Sequence, residues 1–246
     1  MGDSPRMEPR LAVPAESADR MSLTRWIITL GLLTGMEQLS AQMAQVQADT
    51  FVQVYNMAQI PEATLVAALR QAGRIFSRTG IHLNWIECPL SSVASQNRGM
   101  CDGSAEGAVM LLRILPQAPD AFSGEAMGFG LPVREGGIHA AVFYGRVAHL
   151  SRSATAPVEQ ILAHVIAHEI GHLLLGSNRH STKGIMRGRW EYSDIRLAIA
   201  GSLLFTPEEA SCMRDEAIRR SLQHSRPELS TDLIKWRSGF YHDTSK

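Results

Sequence analysis

Residues 158–176 form the stretch that decides the fold, and they read Val-Glu-Gln-Ile-Leu-Ala-His-Val-Ile-Ala-His-Glu-Ile-Gly-His-Leu-Leu-Leu-Gly. Pro157 precedes this stretch and Gly176 ends it, which is the usual placement of proline and glycine around a helix. Apolar residues occur around most of the helix circumference, and a helix of that kind is buried. The sequence therefore predicts a buried helix from Pro157 to about Leu175, against which the rest of the chain packs.

The predicted helix carries the sequence His168-Glu169-Ile170-Gly171-His172. Histidines at i and i+4 face the same side of a helix, so both imidazoles can reach one ion. A glutamate beside the first histidine is placed to take a proton from a water molecule on that ion. The alternative is a helix with hydrogen-bonded core histidines, but these polar groups are costly on a buried face without a partner such as a metal.

A catalytic zinc site needs three protein ligands and one open position, so a third ligand must come from elsewhere. After the glycine turn at Gly176 the chain can fold back and bring His180 to the metal. Glu191 or Asp194 are alternatives, because thermolysin-like enzymes take a downstream carboxylate. His164 lies on the ligand face but eight residues before His172, about 12 Å along the axis. We therefore expect His164 to support a ligand or to be partly exposed.

On these residues the chain resembles the metzincins, and within them the matrixin branch most closely. The family pattern is H-E-x-x-H-x-x-G-x-x-H followed by a methionine-containing turn. Here seven residues, rather than five, separate the second and third histidines. The matrixin-like features are His180-Ser181 and the methionine that follows a few residues later. The positions that match the family pattern are His168, Glu169, His172, Gly176, His180 and Met186.

The resemblance implies a secreted zinc-dependent endopeptidase. Its zinc ion would be held by His168, His172 and His180, and Glu169 would be the general base for a zinc-activated water. It implies a mixed α+β fold with a twisted mixed sheet of about five strands, two long helices, a methionine turn and a C-terminal helix. In such enzymes an extended peptide pairs with an antiparallel edge strand, for which residues 127–133 are our candidate. Tyr192 is a candidate transition-state stabiliser, or a residue packed in the wall of the site.

The order of predicted elements agrees with a mixed α+β fold. Residues 51–55 and 81–86 alternate as strands on either side of a helix that starts near Pro61, which favours a parallel pair. The apolar run 107–115 predicts a central strand. Residues 127–133 and 138–144 follow as strands joined by a glycine-containing turn, and thus as a hairpin. Thr206-Pro207 predicts the start of a last helix, which runs to about Gln223.

The two ends of the chain are unlike the single metallopeptidase domain that we predict over residues 50–223. Residues 1–20 have little to bury and are predicted to be a non-native or disordered extension. Residues 21–41 combine a basic start, a short apolar run and small residues, which is the pattern of a signal peptide starting near Met21. We therefore expect a secreted or periplasmic protein. Residues 224–246 are predicted to be a polar tail.

Composition narrows the class of partner. Lysine plus arginine and aspartate plus glutamate number 24 each, so the net charge is zero and nucleic-acid binding has no support. We expect a peptide or protein substrate, no stable membrane insertion after signal cleavage, and a monomer. Cys88 and Cys101 flank a polar loop and are a candidate disulfide in an oxidising compartment. Cys212, in the last helix, is predicted to be a small buried residue.

Three other hypotheses are left open by the sequence. The chain could be a zinc-binding extracellular module without catalysis, or a cell-surface binding protein in which the histidines are incidental. It could also be a thermolysin-like peptidase with Glu191 as the third ligand.

Overall fold

A computed structural model describes residues 48–90, 101, 109–122, 124–132 and 138–224. The predicted N-terminal extension, the signal peptide and nearly all of the polar tail lie outside these residues. No helix within the described ranges is both long and apolar enough to cross a membrane.

The described residues form a mixed sheet of five strands: β1 Ala48–Asn56, β2 Ile81–Glu87, β3 Val109–Leu115, β4 Gly128–Leu131 and β5 His139–Phe143. The strand order in the sheet is β2-β1-β3-β5-β4. Strands β2, β1, β3 and β5 run parallel to one another, whereas β4 is antiparallel to β5 and lies at the edge. The predicted parallel pair, central strand and antiparallel hairpin are therefore all confirmed.

Helices cover the sheet, and the predicted buried helix is one of the two longest, at 18 residues each. It begins directly after Pro157 and ends at Gly176, whose left-handed conformation (φ 60°) a residue without a side chain adopts easily. It packs against the first and the last helix and against strands β4 and β5. The helices are α1 Glu62–Ser77, α2 Tyr144–Ser153, α3 Val158–Leu175, α4 Tyr192–Ile199 and α5 Pro207–His224. The predicted α+β class is confirmed.

Helix α2 was not predicted from the sequence. It follows directly on strand β5, and it contains Gly145 and two serines, which are weak helix formers. Only Val147 and Ser151 of this helix are buried, so there is no apolar stripe to reveal its period. Its packing against α3, rather than its own propensity, accounts for its formation.

Two observations concern the cysteines. Cys88 at the end of β2 and Cys101 form the disulfide that the sequence predicted, with Cα atoms 5.8 Å apart. The prediction for Cys212 was wrong, because its thiol is exposed. Helix α5 turns Met213 and Ala217 towards the core, and this orientation leaves Cys212 on the solvent side.

A close contact below α3 fixes how the chain returns to this helix after Gly176. Met186 is completely buried, and its sulfur lies so near Gly171 that a Cβ at that position would be 2.7 Å from Sδ. The ring of Phe205 would be 3.0 Å from the same Cβ. Position 171 therefore has no room for a side chain, although glycine is unfavourable inside a helix.

We expect Gly171→Ala to destabilise the protein by about 1–3 kcal/mol, because the added methyl group overpacks the contact with Met186. The matched control is Gly73→Ala in α1, where the nearest atom to an added Cβ, in Trp85, is 3.6 Å away. That variant should gain up to about 1 kcal/mol from helix propensity. Urea unfolding of both variants measures the difference, and equal effects of the two substitutions would contradict the packing argument.

Candidate metal centre and cleft

Two histidines of α3 present their Nε2 atoms to the same point. Nδ1 of His168 is 2.7 Å from the carbonyl oxygen of Ile185, and Nδ1 of His172 is 2.8 Å from that of Ser177. A carbonyl oxygen only accepts hydrogen bonds, so each neutral ring is assigned its proton on Nδ1. The two Nε2 atoms, 3.1 Å apart, then face each other with lone pairs.

His180 joins these two histidines from the chain that follows Gly176. Its ring centroid lies 5.3 Å from that of His168 and 5.1 Å from that of His172. One ligand atom from each of the three side chains lies within 4.8 Å of the others. The structure therefore brings together the three histidines that the sequence proposed as ligands.

The charge state of this cluster fits a divalent cation. Burial lowers the pKa of His168 to about 4, against the opposing effect of its hydrogen bond to Ile185, and it also lowers the pKa of His172. Both imidazoles are therefore neutral near pH 7. Facing lone pairs repel one another unless a positive ion lies between them. Neutral imidazoles suit zinc in particular, so these residues fit the metal that the sequence implied.

Glu169 lies beside the histidine cluster and is almost completely buried, with 5% of its surface exposed. Its carboxylate is pressed against strand β4, since a Cβ on Gly128 would be 2.7 Å from Oε1. Burial raises the pKa of this carboxyl group to about 8. A carboxyl group with that pKa can both hold and release a proton near neutral pH.

A turn after His180 supports the cluster from below. Gly184 has a left-handed conformation (φ 75°), and Arg187 donates its backbone N–H to the Gly184 carbonyl at 3.2 Å. This turn directs the carbonyl of Ile185 to His168 and buries Met186 under α3. Trp190 donates its indole N–H to the same Ile185 carbonyl at 3.1 Å. The buried Met186 and the histidine-supporting carbonyl of Ile185 thus belong to the same turn.

An open cleft of about 990 Å³ contains the three histidines and Glu169. Edge strand β4 lies along it, and Met127 and Phe129 line it from that side. His149 and Leu150 of α2 form part of another wall, next to Val165 of α3. Sequence analysis missed this wall because α2 itself was not predicted. The cleft-lining residues of α2 (145, 146, 149, 150 and 153) share no chemical character, so the sequence carried no signal for them.

Three predicted site residues lie elsewhere. Tyr192 is 71% exposed at the first turn of α4 and does not line the cleft, so neither of its two predicted roles is supported. Glu191 and Asp194 form the capping box of α4, and both make ion pairs with Arg187. Their carboxylates are occupied there and do not belong to the histidine cluster.

The expectation of partial exposure for His164 was wrong, because the side chain is completely buried. Its Nδ1 is 2.7 Å from the carbonyl oxygen of Gln160, and its ring contacts that of Trp190 edge-on at 6.4 Å. Burial lowers the pKa of His164, so it is a neutral core residue. The chain after Met186 covers this part of α3, which the spacing of the helix could not indicate.

No protein-family model and no curated protein sequence matches the chain. Among solved structures, the archaemetzincin of Methanopyrus kandleri is similar at 14% identity and a TM-score of 0.44, over 70% of this chain and 97% of that one. Metalloproteinase-II from Bacteroides fragilis is similar at 11% identity and a TM-score of 0.42, over 70% of this chain and 54% of that one.

We expect the metal-free protein to lose stability, relative to its Glu169→Gln variant, as the pH rises from about 4.5 to about 8. Below this range the carboxyl group is protonated in both the folded and the unfolded chain. Within the range the unfolded chain releases the proton while the buried group keeps it, which favours unfolding. Above the range the difference becomes constant, at roughly 5 kcal/mol at most.

Urea unfolding of both proteins with a chelator present, at the two ends of this pH range, measures the effect. The glutamine variant is the control because it keeps the size of the side chain but cannot ionise. A stability difference that does not change with pH would show that the carboxyl group is not buried as described.

Proposed function

We propose that this chain is a zinc-dependent endopeptidase of metzincin type. The observation that carries the proposal is the pair of facing Nε2 atoms of His168 and His172, completed by His180 and flanked by the buried carboxyl group of Glu169. All four side chains line one open cleft. A structural zinc site would be closed by protein ligands, whereas three histidines leave a position open to the cleft.

The three histidines would hold the metal through their Nε2 atoms, with His168 and His172 oriented by the carbonyls that accept their Nδ1 protons. When bound, zinc supplies a water of lowered pKa and polarises a substrate carbonyl. The proposed third ligand is His180 rather than Glu191, because the carboxylate of Glu191 already caps α4.

Glu169 is the proposed general base. Its carboxylate would take a proton from the attacking water and deliver it to the leaving amine. The raised pKa supports this cycle, since a carboxylate that is poorly solvated accepts a proton readily. A cation bound by the neighbouring histidines would favour the ionised form needed at the start of the cycle.

The substrate would bind as an extended peptide along edge strand β4. Within the described ranges this strand pairs with β5 alone, so its other edge can accept the backbone hydrogen bonds of a peptide. The strand lies directly on the ligand helix, since a Cβ on Gly130 would be 2.8 Å from both the Glu169 carbonyl oxygen and Cβ of His172. A peptide on this edge would therefore pass close to the metal.

Export, monomeric state and matrixin-like character are further parts of the proposal. The disulfide between Cys88 and Cys101 supports an oxidising compartment, in line with the signal peptide proposed for residues 21–41. The matrixin relationship rests on His180-Ser181 and Met186 alone. The second candidate function is a zinc-binding module without catalysis. The buried Glu169 that lines the cleft favours the enzyme, because a purely structural zinc site does not require a general base.

We expect Glu169→Gln to lower peptide hydrolysis by at least about 100-fold while the zinc content stays at one ion per chain. The glutamine cannot accept the proton, but the three histidines are unchanged. Cleavage of a random peptide library, analysed by mass spectrometry, and metal analysis of the same samples measure the two effects. A wild-type protein that binds zinc but cleaves no peptide would support the non-catalytic module instead.

Substitution of His180 by alanine should weaken zinc binding by more than the roughly 10–100-fold that loss of a supporting hydrogen bond costs. Glu191→Gln is the matched control, and we expect it to leave the zinc affinity unchanged. Zinc competition titrations against a chromophoric chelator give both affinities. Weaker zinc binding by Glu191→Gln, with the affinity of His180→Ala unchanged, would identify Glu191 as the third ligand and favour a thermolysin-like site.

A further inference from the structure

His180 differs from the other two histidines in how its ring is held. His168 and His172 each direct Nδ1 to a backbone carbonyl, whereas no hydrogen bond to the His180 ring is present among the described residues. The ring is also exposed. Its nearest constraint is Gly188, where a Cβ would be 2.9 Å from the ring. The position of His180 must therefore depend largely on its backbone.

That backbone is anchored at the next residue, Ser181, by two contacts. The N–H of Ser181 donates to the carbonyl of Met186 at 2.8 Å, which ties the His180 segment to the turn below the site. The hydroxyl group of Ser181 donates to Oε1 of Glu209, 28 residues further along the chain. One contact is therefore local, and the other reaches helix α5.

Glu209 is a buried carboxylate in the first turn of α5. Its Oε2 accepts the backbone N–H of Thr206 at 2.8 Å, and its own N–H donates to Oγ1 of Thr206 at 3.2 Å, so the two residues form a capping box. No lysine or arginine of the described residues lies within 4.0 Å of this carboxylate. The cap uses one carboxylate oxygen, and Ser181 uses the other.

We infer that Glu209 and Ser181 are positioning residues that hold His180 in reach of the metal. The inference rests on the proposed function, because it assumes that His180 is a ligand. A carboxylate fixed at the start of a helix is a rigid acceptor, since its own position is set by the cap. The bond to Ser181 transfers that rigidity to the one ligand whose ring lacks a hydrogen bond of its own.

The competing explanation is that Glu209 only stabilises the fold. A substitution of Thr206 distinguishes this explanation from a role in positioning His180. Thr206→Ala removes the hydroxyl group of the same capping box but leaves the bond between Glu209 and Ser181 in place. It should lower the thermal stability of the metal-free protein without changing the zinc affinity. Ser181→Ala removes the link and leaves the cap intact. Ser181→Thr retains a hydroxyl group and serves as the conservative rescue.

The experiment is a zinc competition titration of the full chain against a chromophoric chelator. We expect Ser181→Ala and Glu209→Ala each to raise the zinc dissociation constant about tenfold or more, and the double variant to add little beyond the larger single effect. Thr206→Ala and Ser181→Thr should stay within about twofold of the wild-type protein, since neither breaks the link.

A second measurement covers any variant that folds poorly. The increase in melting temperature on zinc addition should be smaller for Ser181→Ala than for the wild-type protein, whatever the metal-free melting temperatures are. A wild-type protein that binds no zinc would overturn the proposed function. A wild-type protein that binds zinc, with Ser181→Ala and Glu209→Ala at wild-type affinity, would overturn this inference alone.

Discussion

The backbone carbonyl of Ile185 is the point on which the candidate site depends. It accepts a hydrogen bond from Nδ1 of His168 and another from the indole N–H of Trp190. The first bond fixes the proton of His168 on Nδ1 and leaves Nε2 free for a metal. The second bond holds Trp190, which lines the cleft, to the same turn. One peptide group thus joins the ligand helix, the turn and the wall.

Close packing around α3 explains why this carbonyl is where it is. Gly171 in α3 allows Met186 to approach this helix from below. Gly130 in β4 allows that strand to approach the helix from above. Because neither position has room for a side chain, the turn and the edge strand approach the helix backbone more closely than ordinary packing allows. The ligand helix is held between them, and its two imidazoles and its carboxylate emerge at one place in the cleft.

Burial gives the site its electrostatic character. It keeps the imidazoles of His168 and His172 neutral and makes the carboxyl group of Glu169 a better proton acceptor. Both effects carry a cost in the metal-free chain, since facing lone pairs and a poorly solvated carboxyl group are unfavourable together. A divalent cation would relieve both costs at once, so the same geometry would suit zinc binding and the general-base role proposed for Glu169.

The sequence by itself determined the features that depend on neighbours along the chain. The i and i+4 spacing of His168 and His172 specified one shared face, Gly176 specified the end of the helix, and alternation specified the first two strands. Only the tertiary structure decided contacts between distant segments. It brought His180 to the cluster, turned Tyr192 and Cys212 to solvent, buried His164 and used Glu191 in a cap. Helix periodicity is a local property, whereas these outcomes depend on which surfaces the rest of the chain covers, and that is settled by packing across the whole domain.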